Sequence, residues 1–328
     1  MKKTLASSAA ALLALATLLA PASFAAEPPP LPKDFPAFGA DRPLPVPAIA
    51  KSTLPNGLAV WFVRRTGFPK VSIALAVRGG TAADPAGLEG VSDLLAATMK
   101  EGAAKKSSRQ IAEELQAIGG DLSAAASADA LYVRASALAS GTPRLLDLLG
   151  AVALAPAFPP AEVELAKENA LQELEAAEST PGYLAEKAFA KAVYGSHPYH
   201  VVSASRETIG RTTPELLRAE HARRFRPDRA LLVVAGALDE AAVKAAVAKA
   251  FGAWAPAAEP LPPAPPSPPA RPRELLLVDR PGSVQATIVS GRPGPAVWDP
   301  DWYDVLVANA LYADAFGSRL MQNLREEK

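Results

Sequence analysis

Nine prolines fall within the nineteen residues from Ala255 to Arg273 (APAAEPLPPAPPSPPARPR). Each proline fixes φ, removes a backbone donor and clashes with the preceding turn of a helix, so neither a helix nor a central strand can run through the tract. It reads as a stiff linker of polyproline type. The linker, residues 255–273, separates a first domain over residues 45–254 from a second segment that starts at Glu274. A shorter Pro-rich stretch, residues 27–44, reads as an extended leader into the first domain.

Composition narrows what the two parts can do. Lys and Arg (34) balance Asp and Glu (34), giving a formal net charge of zero. A nucleic-acid binder needs a basic field to displace counterions from phosphates, and this chain lacks one. Hydrophobic residues make up 49%, enough for sizeable cores. There is no Cys, so disulfides, thiolate metal ligands and cysteine nucleophiles are excluded. Three His residues cap any imidazole chemistry.

The first 26 residues read as a targeting segment. Lys2 and Lys3 precede an uncharged Ala/Leu run from Leu5 to Leu19, and Ser23-Phe24-Ala25 offers small residues where a signal peptidase reads. The run is short for a span of about 20 apolar residues. The expectation is a cleaved secretory signal and an exported, periplasmic chain.

Within 45–254 the hydrophobic period switches repeatedly between two and about 3.6. Strands are predicted over Leu58–Arg64, Val71–Val77 and Arg229–Ala235, with a hairpin from Leu122–Ala128 and Leu131–Leu138. Helices are predicted from Gly90 to Lys100, from Ser107 to Ile118, and over Pro143–Ala155, Glu162–Glu178, Tyr183–Tyr194, Pro214–Phe225 and Glu240–Phe251. After the linker, strands are expected at Leu275–Val278 and Gln285–Gly291, then a helix over Trp302–Asp314. The class is α+β, with a mostly antiparallel sheet covered by helices. Residues 274–328 bury too little to stand alone. They read as the beginning of a second domain, truncated at Lys328.

Several local signatures now resemble one family in their joint order. They are Leu54-Pro55-Asn56-Gly57-Leu58, Gly79-Gly80, Gly87-Leu88-Glu89-Gly90-Val91-Ser92, Tyr194-Gly195-Ser196-His197-Pro198-Tyr199 and Phe225-Arg226-Pro227. The second segment adds Val278-Asp279-Arg280-Pro281-Gly282, Gly317-Ser318-Arg319-Leu320 and Leu324-Arg325-Glu326-Glu327-Lys328. Together they resemble the insulinase/pitrilysin (inverzincin) peptidases, which include mitochondrial processing peptidase and its non-catalytic relatives. The resemblance implies two related α+β domains facing each other across a cavity. Here it implies one whole domain and the start of the second.

The family's H-x-x-E-H motif places two zinc-binding His on one helix face, with a Glu as general base. The corresponding positions here are Asp93, Ala96 and Ala97. At 100° per residue these are expected on one face, opposite Val91, Leu94, Leu95 and Thr98. Glu173 matches the family's third ligand. On an amphipathic helix with Glu164, Glu168, Glu175 and Glu178 it equally reads as a solvated charge. Two carboxylates without imidazole or thiolate make a poor zinc site, so no catalytic residue, no metal and no cofactor is expected, zinc being the cofactor of active family members. His197 and His200 lie in a loop with Pro198. His221, beside Arg223, Arg224 and Arg226, reads as part of a solvated basic face. Arg325 matches a substrate-orienting Arg.

The resemblance and the lost donors together imply a non-catalytic chain. It would form a hetero-oligomer with an active homologous peptidase and help hold peptides. The alternatives are a zinc metalloendopeptidase acting on peptides in the periplasm, and a free-standing peptide-binding envelope protein. Export is testable directly. Intact-mass analysis of the periplasmic fraction is expected to give a chain beginning at or near Ala26 or Glu27; retention of Met1 would contradict it.

Overall fold

The computed structural model describes residues 39–40, 46–257, 265–266, 268–269 and 272–327. The chain divides into two units, residues 1–46 and 47–328. Of the first, only Gly39, Ala40 and Val46 are described, so the signal segment and most of the leader lie outside the described residues.

The second unit opens with strands β1 (Ile49–Thr53), β2 (Ala59–Arg64) and β3 (Lys70–Arg78). Helix α1 (Val91–Met99), two short strands β4 (Gly102–Ala103) and β5 (Lys106–Ser107), and helix α2 (Ser108–Ala117) follow. The hairpin β6 (Asp121–Ala126) and β7 (Ala130–Leu138) leads into α3 (Thr142–Leu154), α4 (Pro160–Glu178) and α5 (Pro181–Tyr194). Then come α6 (Arg206–Arg211), α7 (Pro214–Arg224), β8 (Ala230–Gly236) and α8 (Glu240–Phe251). Side-chain caps start several of these helices. Ser107 and Gln110 form a reciprocal capping box, and Thr180, Thr213 and Asp239 cap α5, α7 and α8.

Six strands form one sheet in the order β1-β2-β8-β3-β7-β6. Only β2 and β8 run parallel, so the sheet is mostly antiparallel. Strand alternation sends Val71, Ile73, Leu75 and Val77 to one face, in register with Leu232 and Val234 on β8 and with Leu131 and Val133 on β7. Buried side chains of α1, α3 and α8 complete that core, among them Leu95, Leu149 and Val247. At about 25 cal/mol per Å² of apolar surface, burial on this face is the main stabilising term.

The predicted α+β class and the elements of residues 54–251 stand, with β1, the short pair β4 and β5, and α6 as additions. The second segment differs from expectation. Leu275–Val278 and Gln285–Gly291 form no strand ladder. Leu275, Leu277 and Val284 are 93%, 91% and 98% exposed, so their apolar side chains have nothing to pack against. A lone two-stranded hairpin is marginal in water. Helix α9 (Trp302–Asn309) does form, continued by a wider π turn over Ala310–Asp314.

The Leu54-Pro55-Asn56-Gly57-Leu58 motif has a long-range role. The Asn56 side-chain amide donates to the carbonyls of Phe251 (2.8 Å) and Trp254 (3.0 Å), and its oxygen accepts from the Leu58 amide (3.2 Å). One side chain thereby fastens the β1–β2 turn to the end of α8. Asn56→Ala is expected to cost about 1–3 kcal/mol by leaving these groups unpaired. Urea unfolding checks it, and an unchanged midpoint would contradict the cross-link.

Candidate functional site

Helix α1 is held at its start. Gly90 precedes it with φ +89°, in left-handed backbone that favours glycine, and a Cβ there would meet Ala204 Cα at 2.4 Å. Asp84 reaches from the preceding loop. Its Oδ2 accepts from the Gly90 amide (2.7 Å) and its Oδ1 from the Ser92 hydroxyl (2.6 Å). A carboxylate at a helix N-terminus satisfies orphan donors and complements the helix dipole.

Asp84 is in turn bound by Arg224 of α7, whose side chain is fully buried. Arg224 Nη2 donates to Asp84 Oδ1 (2.7 Å) and Glu220 Oε2 (2.8 Å), and Nε donates to Glu220 (3.0 Å). Nη1 donates to the carbonyls of Gly79 (3.3 Å) and Gly80 (3.1 Å) and to the Ser92 hydroxyl. Burial alone would raise the Glu220 carboxyl. Hydrogen bonds from Arg223 and Arg224, and their charges, outweigh that and hold it below its ordinary value.

Helices α1 and α4 flank a groove of about 600 Å³, to whose lining Ser203, Ala204 and Ile209 also contribute. Asp93 and Ala97, four residues apart on α1, line one wall; Glu173 and Asn169 on α4 line the other. The structure thus brings together Asp93, Ala97 and Glu173. Ala96 does not share the face. It is 3% exposed and packs in the core, where three residues of turn carry it from Asp93. Asp93 opens on the groove, but protein crowds its carboxyl. Loss of hydration, helped by the Asp84 charge, raises its pKa from 3.8 to about 6.

The His candidates do not converge on the groove lining. His197 Nδ1 accepts from the Tyr199 amide (3.2 Å), which leaves Nε2–H to donate to Pro265 O (3.2 Å). His200 Nδ1 bonds the His197 carbonyl (2.8 Å). The nearby Tyr199 hydroxyl donates to Asp129 (2.5 Å); that bond, burial and the Asp129 charge push its pKa up to about 12. His221 is not a solvated group. It stacks on Phe225 at 4.5 Å, meets Phe158 edge-on and donates from Nε2 to Ala153 O (2.9 Å), and burial pushes its pKa down. Arg325 lies over the Phe316 ring at 5.2 Å and is not part of the groove lining.

Sequence reasoning missed Asp84, Ser92, Glu220 and Arg224 as one cluster. Glu220 and Arg224 have the i, i+4 spacing of an ordinary surface pair, and nothing local tells a buried pair from an exposed one. As a zinc site the groove does not fit. Its facing donors are carboxylates without imidazole, and among the described residues no three His, Cys, Asp or Glu side chains group as a ligand set.

A model described as insulinase (peptidase family M16) matches residues 60–202, and one described as peptidase M16 inactive domain matches residues 211–328. The chain is similar to the uncharacterized zinc protease YmxG of Bacillus subtilis, 25% identical over 285 residues, covering 85% of this chain and 68% of that protein. It is also similar to the mitochondrial-processing peptidase subunit alpha of Solanum tuberosum, 27% identical over 221 residues, covering 66% and 44% respectively. The solved peptidase M16 inactive domain from Pseudomonas fluorescens shares the fold, with TM-score 0.72, 23% identity and coverage of 86% and 68%. The chain therefore spans about two thirds of the length of YmxG and under half of the processing-peptidase subunit.

The Asp93 shift has a definite sign. A raised carboxyl pKa means the folded state keeps a proton that the unfolded state has lost, so stability falls as pH rises from about 4 to about 6 and is level above that. Asp93→Asn is expected to remove this slope and to be more stable than wild type at pH 7. Denaturation midpoints at both ends of the window check it; parallel midpoints for the two proteins would contradict it.

Proposed function

The chain belongs to the insulinase family, M16, and from that premise we propose that it is a non-catalytic member. It pairs with an active, zinc-bearing homologue and supplies part of a peptide-holding cavity. The observation that carries this reading is the α1–α4 groove. Asp93 and Ala97 on one wall and Glu173 on the other are where a two-helix site would carry its ligands, while the side chains offer no imidazole. Ala97 can bind neither metal nor proton. Ala96, in the position of the general base, is buried and has no titratable group.

A groove of this kind can still contribute shape and contacts. Leu94, Leu165, Ala166 and Leu174 give it apolar walls, and Asn169 and Ser203 give it polar anchors. Such a mixture suits an extended peptide, which needs apolar pockets and a few oriented polar groups. Two of the similarities agree with the reading. One family model is described as an inactive domain, and one relative is named as a subunit. Export would place the chain where an active homologue and its peptides meet.

The experiment is an add-back. Purified chain, dialysed and analysed for metal, is expected to hold well under one zinc per molecule and to cleave no peptide in a chelator-sensitive way. Added to an active M16 homologue of the same cell, it is expected to co-elute on size exclusion and raise peptide turnover. About one zinc per chain would overturn the non-catalytic reading, and no co-elution at about 10 μM would overturn the partner role, since functional pairs bind at or below this range.

A further inference from the structure

Between residues 47 and 257 the exposed large apolar side chains are Ile49, Phe68, Leu138 and Leu165. Leu165 belongs to the groove. Ladder register puts the other three at one end of the sheet. Ile49 pairs with Val63, the residue before Arg64; Arg64 pairs with Gly236, and Gly236 with Val71. Lys70, the residue before Val71, pairs with Leu138. Phe68 stands in the β2–β3 connection, whose residues 64–70 are all exposed. From Ile49 to Leu138 the row crosses four strand spacings, about 19 Å at roughly 4.8 Å each.

The connection is tied down at both sides and free at its tip. The Arg65 amide donates to Gly236 O (2.8 Å), the Ala139 amide to Pro69 O (2.9 Å) and the Lys70 amide to Phe68 O (2.8 Å). At Gly67 an added Cβ would meet no atom within 4 Å. Next to it Phe68 is 78% exposed. A tip already fixed in place loses little further freedom on contact.

Cations surround this tip. Arg64, Arg65 and Lys70 are exposed, and among the described residues none of the three is ion-paired. The carboxylates of this end are Asp121 at the start of β6, and Asp239 and Glu240 at the start of α8. Asp239 accepts from the Ala242 amide (2.9 Å) as the helix cap, and Glu240 pairs with Lys244 (2.6 Å). The chain leaves the first domain at the opposite end. There Asn56, in the β1–β2 turn, holds the Trp254 carbonyl, and the Ala257 amide donates to Asp228 Oδ1 (2.9 Å) just before β8. Pro265 accepts from His197, two residues from Tyr199, which bonds Asp129 in the β6–β7 turn. The contacts of the linker thus lie at the far end of the sheet from Phe68.

We propose that the Phe68 end of the sheet is a peripheral contact for an anionic phospholipid bilayer. Phe68 enters the interface, Ile49 and Leu138 flank it, and Arg64, Arg65 and Lys70 meet headgroup phosphates. Apolar area and attraction of cations to anionic lipid together set the strength of such binding. A protein partner would need a concavity shaped for Phe68, whereas a bilayer needs only an apolar tip ringed by cations. The surface is remote from the groove and does not depend on the non-catalytic reading.

Vesicle binding tests it on the full chain. Cosedimentation is expected with phosphatidylcholine vesicles carrying about 30% phosphatidylglycerol, and not with phosphatidylcholine alone. Salt at about 0.5 M is expected to release the chain. Phe68→Ser and Arg64→Glu/Arg65→Glu are each expected to weaken binding by at least about tenfold. The chain has no Cys, so Phe68→Cys supplies a single thiol for an environment-sensitive fluorophore. Its emission is expected to shift to the blue on anionic vesicles. The same label on Arg78→Cys, about 27 Å away along β3 at roughly 3.4 Å per residue, is expected not to respond. Absence of cosedimentation overturns the proposal. So do variants that bind like wild type, which would place binding elsewhere in the chain, and equal responses at 68 and 78. A photocrosslinker on the position-68 thiol that captures a protein, a second copy of this chain included, and no lipid also overturns it.

Discussion

The Arg224 guanidinium, with no exposure to solvent, is the joint on which the site region depends. Removing such an ion from water costs several kcal/mol unless partners replace its hydration. Here they do. Its three nitrogens are engaged by Asp84, Glu220, Ser92 and the carbonyls of Gly79 and Gly80. Arg223, bonded to Glu220 at 2.6 Å, balances the second carboxylate, so two cations face two anions and the cluster is neutral. In one contact set, α7 is fixed to the end of β3 and to the first turn of α1. Gly80 also lies hard against the β6–β7 turn, where a Cβ would come within 1.9 Å of Ser127 O.

This arrangement separates scaffold from chemistry. The direction of α1 is set by Asp84, Ser92 and Gly90 at its start and by Val91, Leu94, Leu95, Ala96 and Met99 in the core. Asp93 and Ala97 face the groove and hold nothing in place. Side chains at those two positions can change from imidazole to carboxylate or methyl while the helix keeps its seat. The cost that appears is local: Asp93 carries a carboxyl whose ionisation its surroundings oppose.

Much of this was legible in the sequence, for physical reasons that differ by element. Strand β3 announces itself because Val71, Ile73, Leu75 and Val77 alternate, and α2 because Ser107 and Gln110 make a capping box. The pairing of Asp93 and Ala97 on one face follows from helical spacing alone. Ala96 did not follow, because a 100° step places it between the groove and the core and only packing decides which. His221 and Arg224 were misread as a solvated basic face. Local pattern records charge but not the Phe158 and Asp84 that arrive from distant segments, nor the stacking of the neighbouring Phe225 on His221. Strands at 275–278 and 285–291 do not form for the converse reason: a short apolar run specifies a strand only where a neighbour supplies the ladder.

If Asp93 and Ala97 stand toward Glu173 as the ligands of a two-helix zinc site would, imidazoles at the two α1 positions should bring metal with them. The direct measurement is zinc uptake and zinc-edge X-ray absorption on Asp93→His/Ala97→His, in which two imidazoles four residues apart would face Glu173. The account predicts a folded variant holding about one zinc, with nitrogen ligands at about 2.0–2.1 Å and a carboxylate oxygen completing the protein set. A variant that folds as wild type yet takes up no zinc would show that α1 and α4 no longer stand in that relation, and would contradict it.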